Sequence, residues 1–122
     1  MKKKILAVDD ESKILQLEKI LFTKNGFDVV TASDGNEAVQ TALSFNPDLI
    51  LLDIEMPGKD GYATLAELRS HKELKDIPVI VLSGLRDETY HKISESMGSV
   101  EHIDKPFAPD KLLAKVNEIL KG

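Results

Sequence analysis

Asp9, Asp10, Asp53 and Ser83 each stand at the end of a short apolar run, and Lys105 at the end of a short mixed one. Asp9-Asp10 follow Ile5-Leu6-Ala7-Val8, and Asp53 follows Leu49-Ile50-Leu51-Leu52. Ser83 closes Val79-Ile80-Val81-Leu82, and Lys105 follows the short run from Val100 to Asp104. Three carboxylates gathered at one place repel one another, so such a cluster holds a cation or shares a proton. The donors are all oxygens, which selects a hard ion. Magnesium binds through one or two carboxylates and keeps room for water and phosphate oxygens. A Lys beside them balances charge or grips a phosphoryl oxygen, and a Ser hydroxyl donates to another. In-line phosphoryl transfer needs positioning and charge neutralisation more than covalent machinery, and Asp is a known covalent acceptor. Taken singly, each residue has a plainer reading. Asp9-Asp10 could cap a helix and fill its first turn, Asp53 could cap a loop, and Ser83 and Lys105 could simply be solvated.

The elements that must position them read as follows. The apolar runs at 5–8, 49–53 and 79–83 are strands buried on both faces, as in a parallel sheet. Phe27 to Ala32 and Val100 to Asp104 are two shorter strands. The helix opened by Glu11-Ser12 carries Ile14, Leu17 and Leu21 on one face with Ile20 beside them, and Asn25-Gly26 stops it. Asp34 and Glu37 have capping-box spacing. The helix behind them buries Ala38, Val39, Ala42 and Leu43, and Asn46-Pro47 ends it. Further helices are expected from about Tyr62 to Ser70, from about Arg86 to Met97, and from Pro109, a favoured first helical residue. The last of these buries Leu112, Leu113, Val116, Ile119 and Leu120. Five strands alternating with five helices imply an α/β fold with right-handed crossovers and helices on both faces. The flavodoxin-like order 2-1-3-4-5 places its crevice at the carboxyl ends of strands one and three. Those ends carry Asp9-Asp10 and Asp53, and strands four and five bring Ser83 and Lys105 to the same edge.

The totals exclude several classes. The 122 residues suit one domain, 1–122, with a real core. There is no cysteine, so disulfides, thiolate metal sites and cysteine catalysis are out. A net charge of −5 argues against direct nucleic-acid binding. No apolar run approaches the roughly 20 residues that span a bilayer. Lys2 to Val8 is too short in its apolar part for a signal peptide, so a cytoplasmic protein is expected, without membrane insertion.

The chain resembles a bacterial response-regulator receiver domain along its whole length. The matching pieces are Ala7-Val8-Asp9-Asp10-Glu11, Leu51 to Gly58 with Gly61, Val79 to Gly84, and Lys105-Pro106-Phe107. Each is weak alone, and the four in this order and spacing are highly specific. The resemblance implies that Asp53 accepts a phosphoryl group from a histidine kinase or a histidine phosphotransfer protein. It implies magnesium ligation by Asp10, Asp53 and the backbone carbonyl of Glu55, with Asp9 assisting through water. Lys105 would bind the phosphoryl group, and Ser83 would move toward it and signal. His102 stands where the family usually has a Tyr or Phe that rotates inward with that hydroxyl. A half-exposed edge-strand His is the plainer alternative. Glu55 and Leu85 occupy positions that tune loss of the phosphoryl group. The first helix would dock the phosphodonor, with Leu15 either an exposed anchor or an edge-of-core residue. Output by protein contact is expected, through the face of helix four, strand five and helix five. A stand-alone regulator and a receiver cut from a longer protein both remain open.

Such a domain has no conventional substrate, although it assists its own phosphorylation and dephosphorylation. A phosphorylation-independent binding module on the same fold would usually lack the acceptor or the Lys. An aspartate phosphatase would want Asp-x-Asp after strand one and a cap domain, and a flavodoxin would want a Ser/Thr-rich phosphate loop there.

Overall fold

Leu49–Asp53 lies at the centre of a five-stranded, all-parallel sheet, every residue of it buried. The computed structural model describes residues 2–54, 61–84, 92, 95, 96, 98 and 101–121. Within these, the order is β1 (Lys4–Val8), α1 (Ser12–Lys24), β2 (Asp28–Ala32), α2 (Gly35–Phe45), β3 (Leu49–Asp53), α3 (Gly61–Ser70), β4 (Val79–Ser83), β5 (Glu101–Asp104) and α4 (Pro109–Leu120). The strands run β2-β1-β3-β4-β5, as expected. Four helices are seen among the described residues where five were expected. The helix expected over 86–97 falls mostly outside them, although Lys92, Glu95 and Ser96 have helical backbone.

Strand side chains alternate between faces, and here the alternation sorts the core into two layers. Leu6, Val8, Ile50, Leu52, Val79 and Val81 pack with Ala38, Val39 and Ala42 of α2 and Leu65 and Leu68 of α3. Ile5, Ala7, Leu49, Leu51, Ile80 and Leu82 pack with Phe22 of α1 and Leu112 and Val116 of α4. Both faces are therefore covered by helices, and the three central strands are apolar except at their ends, Lys4, Asp53 and Ser83.

Local signals set the helix ends. After α1, Gly26 adopts φ +91, its amide donates to Thr23 O, and the Phe27 amide donates to Phe22 O. This is a Schellman closure, and the Phe22 and Phe27 rings meet edge to face at 5.8 Å across it. At α2, the Glu37 amide donates to Asp34 Oδ1, and Glu37 Oε1 accepts from the Ser33 amide. The box closes one residue earlier than its simplest form. Asn46 ends α2 in the left-handed region at φ 52. Arg69, in the last turn of α3, donates to the carbonyls of Leu74, Lys75, Ile77 and Gly98. One planar guanidinium with several donors thus ties the segment before β4 to the one before β5.

Two expected faces are corrected. On α1 the fully buried residues are Glu18 and Phe22, while Leu17 is 41% and Ile20 65% exposed. Leu15 is half-buried and packs against the core, so it occupies the edge of the core and is not an exposed anchor. The buried line of α1 thus runs through Glu18 and Phe22, with Ile14, Leu15 and Leu21 half-buried on either side of it. On α2, Leu43 is 36% exposed, since Ala38, Val39 and Ala42 already fill the contact with the sheet.

Candidate functional site

The alternation that sorts the core also places the polar residues. Asp9 continues the 5, 7 series, Asp53 the 49, 51 series, and Lys105 follows the half-buried Ile103, which packs in the same layer. All three side chains therefore emerge toward α1 and α4. Ladder bonds carry the strands past their ends. The Asp9 amide donates to Ala32 O at 3.1 Å, that of Ile54 to Leu82 O at 3.1 Å, and that of Lys105 to Ser83 O at 2.8 Å. The Lys105–Pro106 peptide is cis.

Asp9 and Asp53 are almost fully buried, whereas Asp10 is exposed. Their carboxylate oxygens lie within 4.8 Å of one another. The Lys105 ammonium donates to Asp9 Oδ2 at 2.8 Å and lies 3.3 Å from Asp53 Oδ1. Burial pulls the Lys105 pKa down, but the hydrogen bond to Asp9 and the charges of Asp53 and Asp9 outweigh it and raise the value overall. The group is therefore a fixed positive charge beside two buried acids. Asp9 Oδ1 also accepts from the Glu11 amide at 2.9 Å, so Asp9 anchors the entry to α1 as well. The N-cap of α1 is Glu11 and no side chain caps the helix, so the plainer reading of Asp9-Asp10 as a helix cap is not met; the bond from the Glu11 amide is a turn bond ahead of the helix. An all-oxygen cluster with two buried members and one facing solvent fits a magnesium ion that keeps part of its water shell.

Gly61 opens α3 against this edge. Its amide donates to Ile54 O at 3.0 Å. A Cβ there would meet the Ile54 Cα and would lie 2.7 Å from the Asp53 carbonyl oxygen. The residue keeps α3 close under β3.

Ser83 is fully buried at the end of β4. His102 pairs with Val81 across β4 and β5. Its side chain is 3% exposed, with Nε2 4.0 Å from Asp104 Oδ1, while the Asp104 side chain is 42% exposed. The His102 ring is thus enclosed while the residue as a whole keeps intermediate exposure, and Asp104 points away from Lys105. Glu55 and Leu85 lie outside the described residues.

A groove of about 380 Å³ opens over Asp53. Glu11, Ile14 and Leu17 of the α1 region form one wall, and Lys105, Pro106 and Phe107 the other. Leu15 instead lines a shallower depression with Ser12, Gln16 and Thr31.

One buried ionisable residue was missed by sequence reasoning. Glu18 is 1% exposed, and among the described residues neither carboxylate oxygen has a hydrogen-bond partner. The signal available was its place between Leu15 and Phe22 on a helical stripe, which a polar residue there disguises.

The sequence matches the response regulator receiver domain family over residues 5–117. It is 39% identical over 122 residues to the alkaline phosphatase synthesis transcriptional regulatory protein PhoP of Bacillus subtilis, covering 99% of this chain and 50% of that one. The chain spans about half the length of the curated relatives it matches. Among solved structures, the chemotaxis protein CheY4 of Vibrio cholerae superposes with a TM-score of 0.94 at 29% identity, covering 98% of this chain and all of that one. The receiver domain of the Francisella response regulator 1452 gives 0.91 at 37% identity, covering 98% of each.

Proposed function

The chain belongs to the response regulator receiver family, a phosphorylation-switched signalling domain of two-component pathways, and from this premise we propose the roles of its residues. Asp53 is the phosphoacceptor. One of its carboxylate oxygens attacks the phosphorus of a phosphohistidine on a histidine kinase or phosphotransfer protein. The phosphorus–nitrogen bond breaks, the imidazole keeps the electron pair, and an aspartyl phosphate forms.

The observation that carries this reading is the Lys105 ammonium 3.3 Å from the buried Asp53 carboxylate, with two more acids beside it. Asp10, Asp53 and the Glu55 carbonyl would hold a magnesium ion, with Asp9 acting through water. When bound, that ion supplies positive charge against the carboxylates and the incoming phosphoryl oxygens. Asp9 holds Lys105 in place until a phosphoryl oxygen offers the ammonium a second partner. Ser83 donates its hydroxyl to another phosphoryl oxygen and draws inward. The buried His102 ring follows it as the aromatic element of the switch. Glu55 and Leu85 shape the path of the water that removes the phosphoryl group, so the domain assists its own phosphorylation and dephosphorylation.

The donor docks along the exposed side of α1. Ile14 and Leu17 lie at the groove, and the free edge of Leu15 lies beside it. Output is by protein contact in the cytoplasm, without direct nucleic-acid binding or membrane insertion. Among the described residues, no helix is long and apolar enough to cross a membrane.

The test is incubation with acetyl phosphate and Mg²⁺ followed by intact-mass measurement. The parent protein gains one phosphoryl group and Asp53→Asn gains none. Equal uptake by the variant overturns the assignment.

A further inference from the structure

Among the described residues three carboxylates are buried, Asp9, Asp53 and Glu18, and the roles above use only the first two. Glu18 lies one helical turn beyond Ile14, which lines the groove containing Asp53 and Lys105. Both its oxygens are buried without a hydrogen-bond partner, so it bonds to none of Asp9, Asp10 and Asp53. The charged groups acting on it come from three strand ends: Asp9 on β1, Asp53 on β3 and Lys105 on β5. The other buried side chains of this layer, from β1, β3, β4, α1 and α4, are apolar.

An ionised carboxylate without donors is costly in such a place. Burial first, and then the negative charge of Asp9, push its pKa up to about 8, with Lys105 pulling down and Asp53 adding to the rise. Glu18 is therefore neutral at neutral pH, and its proton is sensitive to charge at the neighbouring site.

We propose that Glu18 is a proton-storing residue that links cation loading of the Asp9–Asp10–Asp53 cluster to pH. This rests on reading that cluster as the cation site. A divalent cation there favours the ionised form of Glu18 and releases its proton. Coupling is reciprocal, so loss of that proton at higher pH strengthens cation binding. A phosphoryl group on Asp53 brings negative charge and acts in the opposite direction. The proton goes to solvent, and the only other species required is the cation.

The test uses the full chain with Mg²⁺ alone. Carbon-detected NMR follows the carboxyl groups through a pH titration with and without the ion, the Glu18 signal being assigned by its loss in Glu18→Gln. The expected result is a downward shift of the Glu18 midpoint when Mg²⁺ is present. In parallel, the Mg²⁺ affinity of the parent rises severalfold more from neutral to alkaline pH than that of Glu18→Gln or Glu18→Leu. If the signals of Asp9, Asp10 and Asp53 respond to Mg²⁺ while the Glu18 midpoint stays fixed, the coupling is overturned and the cation site stands. If no carboxyl signal responds, both are overturned. The midpoint is read in the parent protein, and should Glu18→Gln not fold, through-bond correlation to the Glu18 backbone in the parent assigns the signal instead.

Discussion

The Lys105 ammonium donates to Asp9 Oδ2 at 2.8 Å, joining two residues 96 positions apart in the chain. Asp9 has no exposed surface, so among the described residues this bond and the one from the Glu11 amide compensate its charge out of water. Removing one partner of a buried pair leaves the other uncompensated, at a cost of about 3 kcal/mol. Lys105→Met is therefore expected to unfold at lower urea concentration than the parent when no divalent cation is present. Adding Mg²⁺ should recover more stability in the variant than in the parent, because the ion then supplies the missing positive charge. Equal gains in the two proteins would argue that Lys105 and the cation do not share the same acids.

Asp10 differs from its neighbour in being exposed. Replacing it with Asn removes one of three mutually repelling charges, so the cation-free variant should be at least as stable as the parent. The stabilisation given by Mg²⁺ follows the ratio of its concentration to its dissociation constant. Thermal unfolding with increasing Mg²⁺ should therefore rise less for Asp10→Asn. A parallel rise would remove Asp10 from the ligand set.

Glu18 gives a pH signature in stability as well. Its pKa is raised from 4.5 to about 8, so between these values the folded protein holds a proton that the unfolded chain has released. That contribution is fully present below 4.5 and is lost as pH rises through 8, with a slope of up to about 1.4 kcal/mol per pH unit. The stability of Glu18→Gln relative to the parent should then climb with pH inside this window and level off outside it. Urea unfolding at a series of pH values checks this, and a constant difference would count against it.

Gly61→Ala places a methyl group against the Ile54 backbone and the Asp53 carbonyl. Overpacking of this kind costs roughly 1–3 kcal/mol, and here the yielding atoms belong to the acceptor strand. We expect reduced stability in urea together with slower phosphoryl uptake from acetyl phosphate. A destabilised variant with unchanged uptake would show that α3 can retreat without moving Asp53.

Much of this arrangement was legible from the chain itself. Long apolar runs gave the central strands to within a residue, because strands covered on both faces have no polar positions to confuse them. The residues that end those strands gave the cluster. Asn25-Gly26 and Asp34 with Glu37 marked helix boundaries through bonds that are purely local. The inward face of α1 was not legible. Two apolar stripes compete there, and the buried one carries Glu18, whose burial comes from tertiary packing and whose raised pKa comes from that burial and from Asp9, nine residues earlier and on another element. The enclosure of His102 was likewise a property of tertiary packing, since a lone His on an edge strand has no local signature of burial.

The two-layer sorting of strand residues has a consequence beyond packing. Asp9, Asp53 and Lys105 are the outermost members of the same odd-numbered rows that carry Ile5, Leu49 and Ile103. Inserting or deleting a single residue within β3 would swing Asp53 to the side of α2 and α3 and expose half of the core together with it. Frame errors that would turn Asp53 away from Asp9 and Lys105 are therefore also errors that disrupt the core.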